Sequence, residues 1–407
     1  MMTTNNIDAE LGIYVHIPFC ISKCIYCGFY SAAGAPSAEE ESSYVNLLVQ
    51  EIESAKRPGL KVDSIFFGGG TPSTLKAESL IEVLDAIRSF FDVTDDCEIT
   101  LEANPGAVSE AYLSKLHDAG FNRLSMGCQS FSDDVLKTLG RIHRSKDARE
   151  SFAAARAAGF DNINLDLMFS VPGADEDIWQ DTLGQMLELS PEHISFYSLQ
   201  IEEETPLYDM YKNGVFAEVT DEADRKMYHM AIECLKSSGY KHYEISNAAK
   251  PGFECRHNLK YWSLSDYLGF GKSASSYIDG VRFTNATDEG YGKGVLMERD
   301  FLKNSKTRNM MESSDAEFAK YKYSEFHVND FMDTVSEFVF LGLRRTTGIS
   351  FDEFEQLFGK RFADVYYGRR NEIEPFIESG DLIEDENGLR LSERGFDISN
   401  KIMAIFV

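Results

Sequence analysis

The sequence predicts an α/β protein in which a large unit of alternating strands and helices is followed by a small helix-rich unit. Six apolar segments of strand length occur in the large unit, and a segment with helical periodicity follows each of them. Strands separated by helices pair in parallel through right-handed crossovers, so this unit is a barrel or an open doubly wound sheet. Periodicity alone does not distinguish these two architectures.

Each predicted strand is short, rich in β-branched or other apolar residues, and bounded by glycine, proline or polar residues. The strands fall at 13–17, 62–67, 97–101, 123–128, 162–169 and 193–199. The helical patterns that follow them fall at 44–52, 80–91, 112–116, 146–158, 178–187 and 227–235. In both candidate architectures the functional loops follow the carboxyl ends of the strands.

The pattern changes after the last of these helices. Residues 285–325 are polar and have no clear periodicity, which predicts a bridge between domains. Beyond residue 331, short helical patterns are separated by glycines. We therefore expect a core domain over 1–245, an extension and linker over 246–325, and a helix-rich C-terminal domain over 326–407.

The composition excludes several classes of protein. Forty Lys and Arg residues against 67 Asp and Glu residues give a net charge of −27, which repels phosphate backbones and disfavours nucleic acid as a partner. No apolar stretch approaches the roughly 18 to 20 residues that a membrane span needs. The first ten residues have neither the basic region nor the apolar run of a signal peptide. We therefore expect a cytoplasmic protein that is not an integral membrane protein.

Three of the seven cysteines lie within eight positions, directly after the first predicted strand. Cys20, Cys24 and Cys27 form a C-x₃-C-x₂-C pattern. In a reducing compartment such clustering indicates metal ligation more than disulfide bonding. The other four cysteines, at 97, 128, 234 and 255, are spread along the chain.

Two kinds of metal site fit this pattern. Three thiolates can hold three irons of a [4Fe–4S] cube and leave the fourth iron open to a small chelating ligand. Alternatively, His16 completes a Cys₃His set for structural zinc. The cluster is favoured because the loop opens a large α/β domain, whereas zinc knuckles usually lie in small loop-rich modules. Three unliganded structural cysteines are a third interpretation.

The segment from Tyr14 to Cys20, YVHIPFC, together with Cys24, Tyr26 and Cys27, resembles the signature of radical S-adenosylmethionine (SAM) proteins. More narrowly, HIPFC resembles the oxygen-independent coproporphyrinogen III oxidase branch of that superfamily. The resemblance implies a partial (β/α)₆ barrel, a [4Fe–4S] cluster on the three cysteines, and SAM on the open iron.

The same resemblance implies a set of SAM-binding residues. The glycine-rich loop, Gly68-Gly69-Gly70-Thr71-Pro72, corresponds to the loop that holds the methionine amino group in the family. An arginine can grip the methionine carboxylate through two parallel hydrogen bonds, while carboxylates and amides accept from ribose hydroxyls or the ammonium group. The expected residues are Tyr14, Tyr26, Gly69, Gly70, Thr71, Glu102, Gln129, Arg141 and Asp166.

Two kinds of protein share this frame within the branch: oxidases that decarboxylate coproporphyrinogen III, and chaperones that bind heme and pass it to acceptor proteins. Three features favour the chaperones. Phe29 stands where the oxidases carry a further cysteine, only 19 residues precede Cys20, and residues 257–262 match an H-N-x-x-Y-W pattern typical of the chaperones. The oxidase is the alternative, followed by another radical enzyme that acts on a tetrapyrrole.

The chaperone interpretation implies particular partners. These are heme or another tetrapyrrole as cargo, an electron donor such as flavodoxin or ferredoxin, and a heme acceptor protein. His257 is the candidate heme ligand, with Tyr261 and Trp262 offering flat faces to the macrocycle, although all three also fit a structural role. Cys255 is a second candidate ligand or a buried thiol. The loop over 271–276 departs from the family pattern, and its Lys272 can pair with a propionate or face solvent.

Overall fold

A computed structural model of the chain describes residues 10–57, 59–304 and 317–407. Its strands are β1 (Glu10–Ile17), β2 (Phe19–Cys20), β3 (Ala32–Ala33), β4 (Lys61–Gly69), β5 (Asp92–Ala103), β6 (Arg123–Gln129), β7 (Ile163–Phe169), β8 (His193–Ser198), β9 (Lys241–Glu244), β10 (Asn247–Ala249), β11 (Tyr267–Phe270), β12 (Ser275–Ile278), β13 (Val281–Asn285), β14 (Tyr323–Val328), β15 (Ile349–Ser350), β16 (Leu382–Glu384) and β17 (Gly388–Leu391).

The helices occupy most of the chain between these strands. The α-helices are Ala38–Ala55, Ala77–Phe90, Glu110–Asp118, Asp133–Thr138, Ser145–Ala157, Glu176–Leu189, Pro206–Lys212, Asp221–Ser237, Arg256–Trp262, Gly290–Asn304, Ala319–Lys322, Phe331–Gly342, Phe351–Phe358, Phe362–Val365, Arg370–Glu378 and Ser399–Met403. Short 3₁₀ turns cover Pro72–Thr74, Tyr367–Arg369, Gly395–Ile398 and Ala404–Phe406.

The six predicted strands form the centre of one large sheet. They are β1, β4, β5, β6, β7 and β8, and they are parallel neighbours in chain order. A doubly wound sheet reverses its strand order at a switch point, whereas these strands continue in one direction. The sheet remains open, because β11 pairs with the outer edge of β1 and β10 pairs with β8. The predicted α/β fold with a partial six-stranded barrel is therefore confirmed.

The core lies between this sheet and the helices that cover it. Central strands of a parallel sheet are buried on both faces, and all seven residues of β6 are buried accordingly. Helix Ala77–Phe90 packs Leu80, Val83 and Leu84 into the same core. The loops at the carboxyl ends of the strands are thus held by a rigid scaffold.

The polar segment expected to be a bridge contains regular structure. Gly290–Asn304 is a helix, and β14 begins at the end of the segment, where it pairs with β13. Before the segment, β11 to β13 extend the large sheet in antiparallel pairs. The apolar pattern did not predict this helix, because few of its described apolar side chains are buried. Among these, Tyr291 and Val295 pack with Leu47. The expectations about the linker and the signal peptide rest partly on residues 305–316 and 1–9. These residues lie outside the described ranges.

The C-terminal part combines short helices with a three-stranded antiparallel sheet in the order β15-β17-β16. Its first helix, Phe331–Gly342, begins with a capping box in which Asp330 and Asp333 satisfy each other's backbone N–H groups. The backbone N–H of Thr346 donates to the carbonyl oxygen of Tyr243, so this part is tied to the large sheet. The exact domain boundaries stay a prediction. Across the described ranges, no helix is both long and apolar enough to cross a membrane.

Candidate functional site

Most of the predicted site residues gather at the carboxyl ends of the parallel strands. Cys20 ends β2 directly after β1, the glycine-rich loop follows β4, and Glu102 lies near the end of β5. Gln129 ends β6, and Asp166 lies in the middle of β7. Residues far apart in the sequence meet here because parallel strands present all their carboxyl ends at one edge.

The loop from Cys20 to Cys27, called the cysteine loop below, is short and partly enclosed. Cys20 is 9% exposed, while Cys24 and Cys27 are half-buried, and none of the three is in a disulfide. Burial raises the pKa of the Cys27 thiol, so metal binding there must displace a proton. No three His, Cys, Asp or Glu side chains in the described part of the chain converge on a single ion. A cube distributes its ligands over separate irons and does not need such convergence.

His16 is already engaged through both ring nitrogens. Its Nε2 donates to the carbonyl oxygen of Tyr30 at 3.0 Å, and its Nδ1 lies 3.1 Å from the hydroxyl of Tyr14. Burial lowers the pKa of His16 to about 4, so the ring is neutral. A zinc ligand needs a free ring nitrogen, and these contacts therefore disfavour the Cys₃His interpretation.

The glycine-rich loop packs directly on the cysteine loop. Gly70 N donates to the carbonyl oxygen of Ile17 and Thr71 N to that of Phe19, both at 2.8 Å. A Cβ atom on Gly70 would lie 2.7 Å from the carbonyl oxygen of Phe19, and Gly69 has a φ of +110°. Only glycine suits both positions, because a Cβ atom would meet the His16 ring at Gly69 and backbone oxygens at Gly70. The two glycines are partly exposed, so the backbone beside the cysteines remains open to a ligand.

A hydrogen-bonded chain connects two of the cysteines. Thr71 Oγ1 lies 3.6 Å from Cys20 Sγ and accepts from Asn104 Nδ2 at 2.8 Å. Arg141 Nη2 donates to Asn104 Oδ1 at 2.6 Å, and its Nη1 donates to Cys24 Sγ at 3.3 Å. Asn104 was not predicted from the sequence, where an Asn before Pro105 indicates an ordinary turn.

Gln129 and Tyr26 lie beside this series of hydrogen bonds. The space above Gly127 is filled by side chains of Arg141, Gln129 and Asn104, each within 3.2 Å of where a Cβ atom would lie. The hydroxyl of Tyr197 donates to Gln129 Oε1 at 3.0 Å. Tyr26 packs on a small apolar cluster, and its hydroxyl interacts with Arg141. The structure thus brings Gln129 and Arg141 together beside the cysteine loop.

A cavity of about 230 Å³ lies inside the barrel, next to the glycine-rich loop. Tyr14, Glu102 and Asp166 line it together with Arg123 and His257. Burial, and next the Asp166 carboxylate, raise the pKa of Glu102 to about 8. Burial also raises the pKa of Asp166, which accepts a hydrogen bond from Asn164 at 2.7 Å. The cavity therefore offers a protonated carboxyl beside further polar groups at neutral pH.

His257 lies at this cavity but has no free ring nitrogen. It is 1% exposed, with Nδ1 3.0 Å from Ser64 Oγ and Nε2 2.9 Å from Tyr261 Oη. Burial lowers its pKa to about 3. The cavity is also smaller than the roughly 300 to 1,000 Å³ of sites for drug-sized ligands. A heme-ligand role for His257 stays a prediction, and these contacts favour its structural role.

The remaining tetrapyrrole candidates differ in their surroundings. Cys255 is fully buried with its Sγ 3.5 Å from Glu98 Oε1, and burial raises its pKa to about 12, as in a structural thiol. The indole of Trp262 faces the guanidinium of Arg344 at 4.4 Å. Lys272 N donates to Tyr44 Oη at 3.1 Å, which anchors the backbone of the divergent loop. Phe29, beside the cysteine loop, is 72% exposed.

Comparisons with known proteins agree with this fold. Residues 14–186 match the model of the radical SAM superfamily, and residues 332–398 match the HemN C-terminal domain. The structure superimposes on that of coproporphyrinogen III oxidase (HemN) from Escherichia coli with a TM-score of 0.82 and 23% identity, covering 99% of this chain and 91% of that one. This likeness establishes a shared fold.

Similarity to individual proteins identifies the family more specifically. The chain is 34% identical to the heme chaperone HemW of Bacillus subtilis, covering 97% of this chain and 98% of that protein. It is also 34% identical to the heme chaperone HemW of Haemophilus influenzae, over 98% of both chains. The chain therefore belongs to the HemW family of radical SAM proteins. Radical SAM proteins use a [4Fe–4S] cluster and SAM, and the donor set described above fits both groups.

Proposed function

We propose that this protein is a heme chaperone, which binds heme and transfers it to an acceptor protein. The observation that carries the proposal is the relationship to the HemW chaperones over nearly the full length of both chains. A relationship that included only the barrel would support the radical SAM core alone. Here it also spans the extension and the C-terminal part.

In this proposal Cys20, Cys24 and Cys27 hold one [4Fe–4S] cluster, and SAM binds its open iron. When bound, these groups supply one-electron reductive chemistry that the protein side chains cannot. The chain's own contribution is to shield and orient them. The backbone of Gly69, Gly70 and Thr71 would receive the amino group of SAM.

The other proposed SAM contacts follow from charge and position. Arg141 would bind the carboxylate, because its guanidinium already lies at the cysteine loop beside Gln129. Glu102 and Asp166 line the barrel cavity and would accept from the ammonium group or the ribose hydroxyls. Tyr14 and Tyr26 would complete the enclosure from the two sides of the cysteine loop.

Phe29 supports the chaperone over the oxidase. The oxidase pattern that the sequence resembles has a further cysteine at this position. An exposed phenylalanine cannot ligate iron or transfer a proton, but it offers an apolar surface to a flat macrocycle. The partners in this proposal are heme, an electron donor such as flavodoxin or ferredoxin, and a heme acceptor protein, all in the cytoplasm.

The test offers both tetrapyrroles to one anaerobic preparation with a reconstituted cluster. We expect heme to produce a saturating absorbance change, while coproporphyrinogen III with SAM and reductant stays unchanged. Release of CO₂ with formation of vinyl groups would replace the chaperone proposal by the oxidase.

The same titration decides the role of His257. If its contacts to Ser64 and Tyr261 are structural, His257→Ala lowers the melting temperature and leaves the heme stoichiometry unchanged. A folded variant that has lost the absorbance change would instead identify His257 as a heme ligand.

A further inference from the structure

Asn104 lies at the centre of the hydrogen bonds around the cysteine loop. It follows β5, immediately before Pro105, and its side chain is half-buried. The amide nitrogen donates to Thr71 Oγ1 at 2.8 Å, and the amide oxygen accepts from Arg141 Nη2 at 2.6 Å. One small side chain therefore connects the glycine-rich loop to the arginine at the opposite side of the cysteines.

Both partners of Asn104 lie within hydrogen-bonding distance of a cysteine sulfur. Because Asn104 fills one acceptor position of Thr71 Oγ1, the hydroxyl hydrogen is available to Cys20 Sγ, 3.6 Å away. Arg141 Nη2 is held between Asn104 Oδ1 and the carbonyl oxygen of Gly127, so its Nη1 is directed at Cys24 Sγ at 3.3 Å. The two side-chain hydrogen bonds of Asn104 go to these partners and not to a sulfur.

We propose that Asn104 is a positioning residue that orients the hydrogen-bond donors of Thr71 and Arg141 onto Cys20 and Cys24. The inference rests on the proposed function, in which these sulfurs bind the cluster. Hydrogen bonds to cluster sulfurs stabilise the additional negative charge of the reduced state and so raise the reduction potential. Groups that orient ligands in this way commonly change affinity or activity by about 10- to 100-fold when they are removed.

Removal of the Asn104 amide has two expected consequences. The Thr71 hydroxyl and the Arg141 guanidinium each lose a partner and can turn away from the sulfurs. The reduction potential of the cluster then becomes more negative. Because Arg141 is also the proposed carboxylate contact, the dissociation constant of SAM increases by about tenfold or more.

A matched control exists at the other end of the same strands. Asn122, just before β6, also makes two side-chain hydrogen bonds: it accepts from Ile99 N at 2.8 Å and donates to the carbonyl oxygen of Cys97 at 2.7 Å. Asn122→Ala therefore removes equivalent bonds from the same domain at the amino ends of the strands. It should leave the potential and the SAM affinity unchanged.

The experiment compares anaerobically reconstituted full-length wild type, Asn104→Ala and Asn122→Ala. Iron content, the midpoint potential of the cluster and the dissociation constant of SAM are measured on each. We expect equal iron content, with a more negative potential and weaker SAM binding in Asn104→Ala alone. Equal potentials in all three proteins, or the same shift in both variants, would overturn the inference. Loss of iron from a folded Asn104→Ala would also overturn it.

A second variant keeps the inference testable if Asn104→Ala does not fold. Thr71→Val replaces the hydroxyl by a methyl group of similar size and removes the donor to Cys20. It should also make the potential more negative, and an unchanged potential would contradict the proposed relay. Failure of the wild type to assemble any cluster would refute the proposed function first, which distinguishes the two outcomes.

Discussion

Glu102 and Asp166 face one cavity although each is normally ionised. Burial in the barrel, and next the Asp166 carboxylate, favour the protonated form of Glu102, whose pKa rises from 4.5 to about 8. A protonated carboxyl can donate a hydrogen bond, whereas an ionised one only accepts. The charge of the cavity therefore changes within the physiological pH range.

This shift makes stability depend on pH in a defined direction. The folded-state pKa of Glu102 exceeds the unfolded value, so its contribution to stability is complete below about pH 4.5 and is lost as pH rises through about 8. Glu102→Gln removes that contribution. We expect the free energy of unfolding of the cluster-free chain to fall less steeply between about pH 5 and about pH 8 in this variant.

Urea unfolding at several pH values measures this slope. The control is Glu82→Gln, since Glu82 is exposed on helix Ala77–Phe90. The free energy of unfolding of Glu82→Gln should change with pH as steeply as that of the wild type. The same slope in Glu102→Gln and wild type would contradict the protonated state of Glu102.

Single residues were predicted unevenly from the sequence. The cysteine spacing and the glycine-rich loop stand out because few other structures need such patterns. Asn104 did not stand out, because its role depends on Thr71 and Arg141, which come near it only in the folded chain. The partners of His257 were hidden for the same reason, since Ser64 lies 193 positions away.

At the level of elements, the glycine-rich loop is held by the strand that precedes the cysteines. Gly70→Ala would place a Cβ atom 2.7 Å from the carbonyl oxygen of Phe19 and 2.9 Å from that of Ile17. Backbone atoms cannot move aside cheaply. We expect this substitution to lower the free energy of unfolding by about 1 to 3 kcal/mol and to weaken SAM binding.

Gly184 is the control for this substitution. It lies inside helix Glu176–Leu189, and nothing lies within 4 Å of its Cβ position. Gly184→Ala should therefore stabilise the protein by about 0.5 to 1 kcal/mol through helix propensity. Chemical unfolding of both variants checks the pair, and a neutral Gly70→Ala would refute the close packing of the two loops.

The elements themselves differ in how far sequence predicts them. All six parallel strands agree with the apolar segments, because a strand buried on both faces needs a run of apolar residues. The pairing of β11 with β1 could not be predicted, since it joins segments about 250 positions apart and depends on which sheet edge is free. The helix Gly290–Asn304 was missed because three glycines and many polar residues interrupt the apolar periodicity of its sequence.

At the scale of the whole molecule, a buried network joins the extension to the first helix. Lys322, only 4% exposed, donates to Glu298 Oε2 at 2.6 Å and lies 3.3 Å from Glu51 Oε1. Asn285 Nδ2 also donates to Glu51, at 3.0 Å. Segments more than 230 positions apart thus share one set of charges, which explains how a polar segment forms ordered structure.

Removing the cation of this network leaves two buried carboxylates without the charge that neutralises them. We expect Lys322→Met to lower the free energy of unfolding by about 3 to 5 kcal/mol. The control is Lys320→Met, because Lys320 is exposed two positions earlier. Equal stability of the two variants in urea unfolding would show that the network contributes little.

The central claim is that three cysteine thiolates hold an iron–sulfur cube with one open corner. Iron, acid-labile sulfide and zinc should be quantified after anaerobic reconstitution of the wild type and Cys24→Ala. We expect about four irons and four sulfides per wild-type chain, and loss of this content in the variant. One zinc per chain with no labile sulfide would contradict it.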